Sequence, residues 1–120
     1  KETPPPQLLG PTTAEITFIT WGSTKLVMQT VLEALNTSEQ PNKANCIHLT
    51  TMLPFPSDAF QKLASTAKNL VIVEGNATGQ LQALIREHTG IVVHESIRRY
   101  DGRPFYSEDL IAWAQARKAA

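Results

Sequence analysis

The run Leu70-Val71-Ile72-Val73 sets four apolar residues side by side between Asn69 and Glu74, with no polar alternation. A strand solvated on one side alternates, so this run has to be covered on both sides, as an interior strand between two helical layers is. Ile16-Thr17-Phe18-Ile19-Thr20-Trp21 and Cys46-Ile47-His48-Leu49 have the same β-rich character. Ile91 to Ile97 reads as a fourth strand, with His94 and Glu95 marking it as an edge. Helical spacing fills the gaps. Val27, Val31, Ala34 and Leu35 make one apolar stripe, Phe60, Leu63, Ala64 and Ala67 a second, and Leu81, Leu84, Ile85 and His88 a third. Ser57 or Asp58 is placed to cap the second helix and Thr78 the third, which Gly90 terminates. A last helix starts at Ser107, with Glu108 and Asp109 near the positive end of its dipole. Tyr106 and Ile111 stand there at the spacing of a hydrophobic staple. Strand starts recur every ~20–30 residues with a helix between, the length of a βαβ unit, and strands so linked run parallel. The pattern predicts a three-layer α/β/α fold with a mostly parallel sheet.

Residues 1–14 read as a linker and residues 15–120 as the α/β domain. Pro4-Pro5-Pro6 and Gly10-Pro11 favour an extended, stiff segment, as expected of a piece joined to something longer. At 42% hydrophobic and 18% charged residues, the chain has enough apolar side chains for one packed core. Eleven basic and eleven acidic residues cancel without clustering, which argues against nucleic-acid or anionic-membrane partners. A single cysteine excludes an internal disulfide and suits a reducing compartment. The sequence as given shows no leader pattern and no apolar run long enough for a bilayer, so a cytoplasmic location is expected. On that expectation the acceptor patterns Asn36-Thr37-Ser38 and Asn76-Ala77-Thr78 are chance matches.

In a parallel sheet the loops that leave the strands gather along one edge, where ligands usually bind. Three such loops are distinctive: Trp21-Gly22-Ser23-Thr24-Lys25, Met52 to Pro56 around Phe55, and Glu74-Gly75-Asn76-Ala77-Thr78-Gly79-Gln80. The first and third put small polar residues ahead of a helix N-terminus, which serves an anion or simply caps the helix. Neither matches a Walker A sequence or a dinucleotide fingerprint. His48, His88 and His94 lack metal-ligand spacing and read as structural, and Cys46 reads as an inert buried thiol. No Gly-x-Ser-x-Gly elbow is present. Arg98, Arg99 and Arg103 around Tyr100-Asp101-Gly102 form a solvated turn or an interface contact.

At these same loops the sequence resembles a known family. Thr20-Trp21-Gly22-Ser23-Thr24-Lys25, Leu53-Pro54-Phe55-Pro56, Val71-Ile72-Val73-Glu74 with Asn76-Ala77-Thr78-Gly79-Gln80-Leu81, Arg86 to Gly90, and Tyr100-Asp101-Gly102-Arg103-Pro104-Phe105 follow one another. In that order they are similar to the transketolase-C-terminal-like domain of the α subunit of 2-oxoacid:ferredoxin oxidoreductases. Gly75 departs from the pattern, where a bulkier polar residue is expected. The resemblance implies a parent enzyme that decarboxylates a 2-oxoacid oxidatively on thiamine diphosphate with magnesium. Electrons pass through iron–sulfur clusters to ferredoxin, and the acyl group goes to coenzyme A. It also implies that this domain holds none of these groups. Its partners are then the other domains of the α subunit and a thiamine-binding β subunit. Trp21, Gly22, Ser23, Thr24, Phe55, Asn76, Thr78, Gly79, Gln80 and Arg103 become candidates for an interface or anion-binding edge. Two other readings remain: a small-anion or nucleotide-binding module of Rossmann-like type, and a small self-contained enzyme. The absence of a nucleophile or metal-ligand set in the sequence weighs against the last.

Overall fold

The computed structural model describes residues 5–21, 25–50, 55–74, 80–98 and 106–116. Among these residues there are five strands and four helices, in chain order β1 (Gln7–Leu9), β2 (Ile16–Trp21), α1 (Lys25–Leu35), β3 (Ala44–Leu49), α2 (Ser57–Ala64), β4 (Leu70–Glu74), α3 (Gln80–Thr89), β5 (Glu95–Arg98) and α4 (Ser107–Ala116). The strands form one sheet in the order β1-β3-β2-β4-β5. β2 pairs in parallel with β3, Ile16 opposite Ala44 and Trp21 opposite Leu49, and in parallel with β4, Ile19 opposite Ile72. β4 and β5 are parallel as well. The interior position of Leu70–Val73 follows from its continuous apolar run, and Ile72 is fully buried.

Alternation along the strands builds two cores. Ile16 and Phe18 of β2, Cys46 of β3 and Val71 and Val73 of β4 face Met28, Val31, Leu32 and Leu35 of α1 and Leu110 and Ala114 of α4. On the other side Ile19, Ile47, Leu49 and Ile72 meet Phe60 and Ala64 of α2 and Leu81 and Ile85 of α3. The result is the expected three-layer arrangement, with α1 and α4 over one face and α2 and α3 over the other.

Several local expectations need correction. Residues 7–9, read as part of a linker, form an edge strand antiparallel to β3, with Leu8 opposite Ile47. Leu8 and Leu9 pack on opposite faces of the sheet, one into each core. Pro5, Pro6 and Pro11 flank this ladder rather than interrupt it, since proline is tolerated beside an edge strand. Gly10 then turns the chain at φ +90, a conformation that L side chains rarely adopt, and an added Cβ there would meet the Ala44 carbonyl oxygen at 3.3 Å. The α1 stripe is rotated: Met28 and Leu32 are buried with Val31 and Leu35, while Ala34 is exposed. Pro56, not Ser57 or Asp58, stands at the cap of α2, with no side-chain cap. The fourth strand begins only at Glu95, so His94 precedes it. Gly90 ends α3 at φ +77, its N–H donating to the Arg86 carbonyl. The Thr78 cap lies outside the described residues.

Candidate functional site

Parallel pairing places the C-terminal ends of β2, β3, β4 and β5 along one edge. β2 ends there at Trp21, which is 47% exposed. α1 begins four residues later at Lys25, followed by Leu26, which is 74% exposed. α4 runs in the same sense as α1. Gln115 near its far end lines a cavity of about 340 Å³ with Glu15 and Lys43 at the opposite, strand-entry edge, so Tyr106 and the start of α4 belong to the strand-exit edge. Tyr106 is itself 52% exposed. Three large exposed hydrophobic side chains therefore share one edge. The fourth among the described residues, Val92, precedes β5 at the other.

β2 hands the chain to α1 on one face, and β4, its direct neighbour, hands it to α3 on the other. The topological switch point of the sheet thus falls between the ends of β2 and β4. The connections from these two strands carry Gly22, Ser23 and Thr24, and Asn76, Thr78 and Gly79. These six residues and Arg103 lie outside the described residues, and Gln80 opens α3. Phe55 is a correction to the candidate edge. Its ring is buried, edge-on to Phe60 at 5.7 Å and stacked on His88 at 5.3 Å. An aromatic ring so enclosed belongs to the α2–α3 core and is not available to a partner.

Behind this edge Cys46 and His48, read from the sequence as a buried thiol and a structural histidine, are both buried, and they share a partner that the sequence reading did not assign, Thr20. Thr20 lies opposite His48 in the β2–β3 register, its Oγ1 2.8 Å from His48 Nδ1 and 3.3 Å from Cys46 Sγ. All three are buried on the α1 side of the sheet. Burial lowers the His48 pKa from its usual range, and the nearby positive charge of Lys25 lowers it further. Burial also raises the Cys46 thiol from 9.0 to about 12, outweighing the Thr20 hydrogen bond, which acts in the opposite direction. The available signal for Thr20 was the break in pattern: Thr20 and His48 are polar on the face that carries Ile16, Phe18, Ala44 and Cys46. Deeper in the sheet, Thr17 Oγ1 donates to Asn45 Oδ1 at 2.6 Å, and the Asn45 amide donates to the Pro11 carbonyl at 2.8 Å. These bonds satisfy the polar atoms and leave no reactive group. Among the described residues no three His, Cys, Asp or Glu side chains gather as metal ligands.

Comparison with known proteins places this geometry. The family profile of the pyruvate:ferredoxin oxidoreductase core domain II matches residues 14–110. A subunit α of 2-oxoacid:ferredoxin oxidoreductase 2 from Aeropyrum pernix is 34% identical over 86% of the chain, and subunit α of the Sulfurisphaera tokodaii 2-oxoacid:ferredoxin oxidoreductase 1 is 32% identical over 78%. The chain spans only 16% and 14% of the length of these two relatives. The 2-oxoglutarate:ferredoxin oxidoreductase from Magnetococcus marinus, solved with 2-oxoglutarate, coenzyme A and succinyl-CoA bound, superposes with a TM-score of 0.81 at 25% identity, over 92% of this chain and 19% of that one. The alpha chain of a probable 2-oxoacid ferredoxin oxidoreductase from Thermoplasma acidophilum superposes with a TM-score of 0.62 at 33% identity, over 93% of this chain and 95% of that one. The three-layer sheet, its exit edge and the sequence match across both cores agree: the chain belongs to the core domain II family of pyruvate:ferredoxin oxidoreductases, found in the α subunits of 2-oxoacid:ferredoxin oxidoreductases.

Proposed function

We propose that this chain acts as an accessory, non-catalytic domain of the α subunit of a 2-oxoacid:ferredoxin oxidoreductase. The whole enzyme would convert a 2-oxoacid and coenzyme A to acyl-CoA and carbon dioxide while reducing ferredoxin in the cytoplasm. Thiamine diphosphate with magnesium would sit in a partner β subunit, and the iron–sulfur clusters elsewhere in the complex. The family match over residues 14–110 carries the reading. The donor set supports the division of labour. An iron–sulfur cluster takes about four thiolates, whereas this chain has one cysteine, buried and held as a thiol by a pKa of about 12. No described acid cluster suits a magnesium diphosphate. The residues therefore do not fit these cofactors, and no chemical step is assigned to them. What the domain offers is its exit edge, where Trp21, Leu26 and Tyr106 present apolar surface to the rest of the enzyme.

The test is reconstitution. The 120-residue chain is expected to show no coenzyme A-dependent viologen reduction with pyruvate or 2-oxoglutarate, and to bind no iron. Deleting residues 14–110 from the parent α subunit is expected to abolish co-elution with the β subunit on gel filtration. Turnover by the chain alone, or normal assembly without it, would overturn the proposal.

A further inference from the structure

Glu15 immediately precedes β2 and Lys43 immediately precedes β3, and the register that sets Ile16 opposite Ala44 brings the two side by side at the strand-entry edge. Their backbones are fixed there: the Glu15 N–H donates to the Asn42 carbonyl and the Ile16 N–H to the Lys43 carbonyl, both at 3.0 Å. Lys43 is only 9% exposed, and its Nζ lies 3.5 Å from Glu15 Oε2. Burying an ammonium is costly unless its donors are satisfied. It has three N–H donors, and one carboxylate oxygen at that length leaves room for a further acceptor from the cavity of about 340 Å³ that both residues line.

The other walls extend this chemistry. Ala34 and Leu35, at the end of α1, supply an apolar patch. Thr37 and Gln40 form a turn closed by reciprocal backbone bonds at 3.2 Å, and the Gln40 N–H also donates to Thr37 Oγ1, which leaves the threonine proton for another acceptor. The side-chain amides of Gln40 and Gln115 make no hydrogen bond among the described residues. The volume falls near the lower end of the ~300–1,000 Å³ of small-molecule sites. A simple anion is a poor complement, because Glu15 cancels the charge of Lys43. A molecule that carries both signs, one carbon apart, lies antiparallel along the ion pair, its carboxylate on Lys43 and its ammonium on Glu15.

We propose that this cavity binds a small free α-amino acid, held as a dipolar ion between Lys43 and Glu15, with the amides of Gln40 and Gln115 on its carboxylate. A short aliphatic side chain then rests on Ala34 and Leu35. The proposal goes beyond the accessory-domain reading and stands independently of it, since binding is a property of the 120-residue chain alone.

NMR titration of the isotope-labelled chain with L-alanine tests this. Saturable amide shifts in the millimolar range are expected at Glu15, Thr37, Gln40, Lys43 and Gln115. Lactate, which lacks the ammonium, and ethylamine, which lacks the carboxylate, should each bind at least tenfold more weakly. Lys43→Met should weaken alanine binding by tenfold or more. Gln115→Leu, at an exposed position of α4, should weaken it about tenfold without disturbing the core, and Lys62→Met on α2 should leave it unchanged. If Lys43→Met does not fold, Gln115→Leu decides. Lactate binding as tightly as alanine would overturn the proposal in favour of an anion site. So would the absence of saturable shifts, which would leave the cavity to water, or shifts that the folded cavity variants leave as they are.

Discussion

Cys46 and His48 lie two positions apart on β3 and face the same helical layer, where both bond to the Thr20 hydroxyl. Removing them from water favours the neutral form of each, so the thiol titrates high and the imidazole low. For His48 the unfolded chain takes up the proton first as pH falls. Its contribution to stability is complete above the unfolded pKa of about 6.5 and is lost as pH drops toward the depressed folded value. Guanidinium unfolding at pH 7.5 and pH 5 should therefore show a pH-dependent loss that His48→Gln reduces; an identical loss in the variant would rule out His48 as its source. The Cys46 thiol should react with Ellman's reagent at pH 8 on the order of 100-fold or more slower in the native chain than in guanidinium, because almost no thiolate forms and access is closed. Stoichiometric labelling of the native chain within minutes would contradict the burial of Cys46. Asn36 is spoken for in another way. Its side-chain amide both donates to the Ala44 carbonyl and accepts from the Ala44 N–H, at 2.8 and 2.9 Å, tying the end of α1 to the start of β3. That pair of hydrogen bonds to the backbone gives Asn36 of the Asn36-Thr37-Ser38 pattern a structural role.

At the scale of elements, β1 is the addition that the sequence did not announce. Pro4-Pro5-Pro6 and Gly10-Pro11 dominate the composition there, and three residues between them are too few to show a period. What makes Gln7–Leu9 a strand is tertiary: β3 has an open side, and Leu8 and Leu9 each find a core to enter. Removing residues 5–10 should cost about 1–3 kcal/mol through the exposure of these two leucines and their neighbours. Unchanged denaturant midpoint and slope after that deletion would return the segment to the role of a tether. β2, β3 and β4 were legible because strands covered on both faces leave long apolar runs, and Gly90 because only a left-handed residue ends α3 that way. The face of α1 was harder, since Val27, Met28, Val31, Leu32, Ala34 and Leu35 offer two overlapping stripes. Packing against Ile16 and Phe18 selects the one that includes Met28. The exit edge was legible in Trp21, but not in Phe55, whose burial depends on Phe60 and His88 coming from two different helices.

Across the whole molecule, the sheet order β1-β3-β2-β4-β5 has a consequence for how the protein is made. β2 comes early in the chain yet occupies the middle of the sheet, between a strand that follows one helix later and another that follows two helices later. During synthesis it leaves the ribosome with both hydrogen-bonding edges vacant and five of its six residues destined for burial. β3 closes one side first, and β4 closes the other only after α2 has emerged. Through that interval the half-built sheet offers a long, apolar, unpaired edge, the kind of surface that nascent chains bury by collapse, by aggregation or against a chaperone. A strand that ends up paired along both edges in the folded protein is the one left longest in need of protection while it is being made.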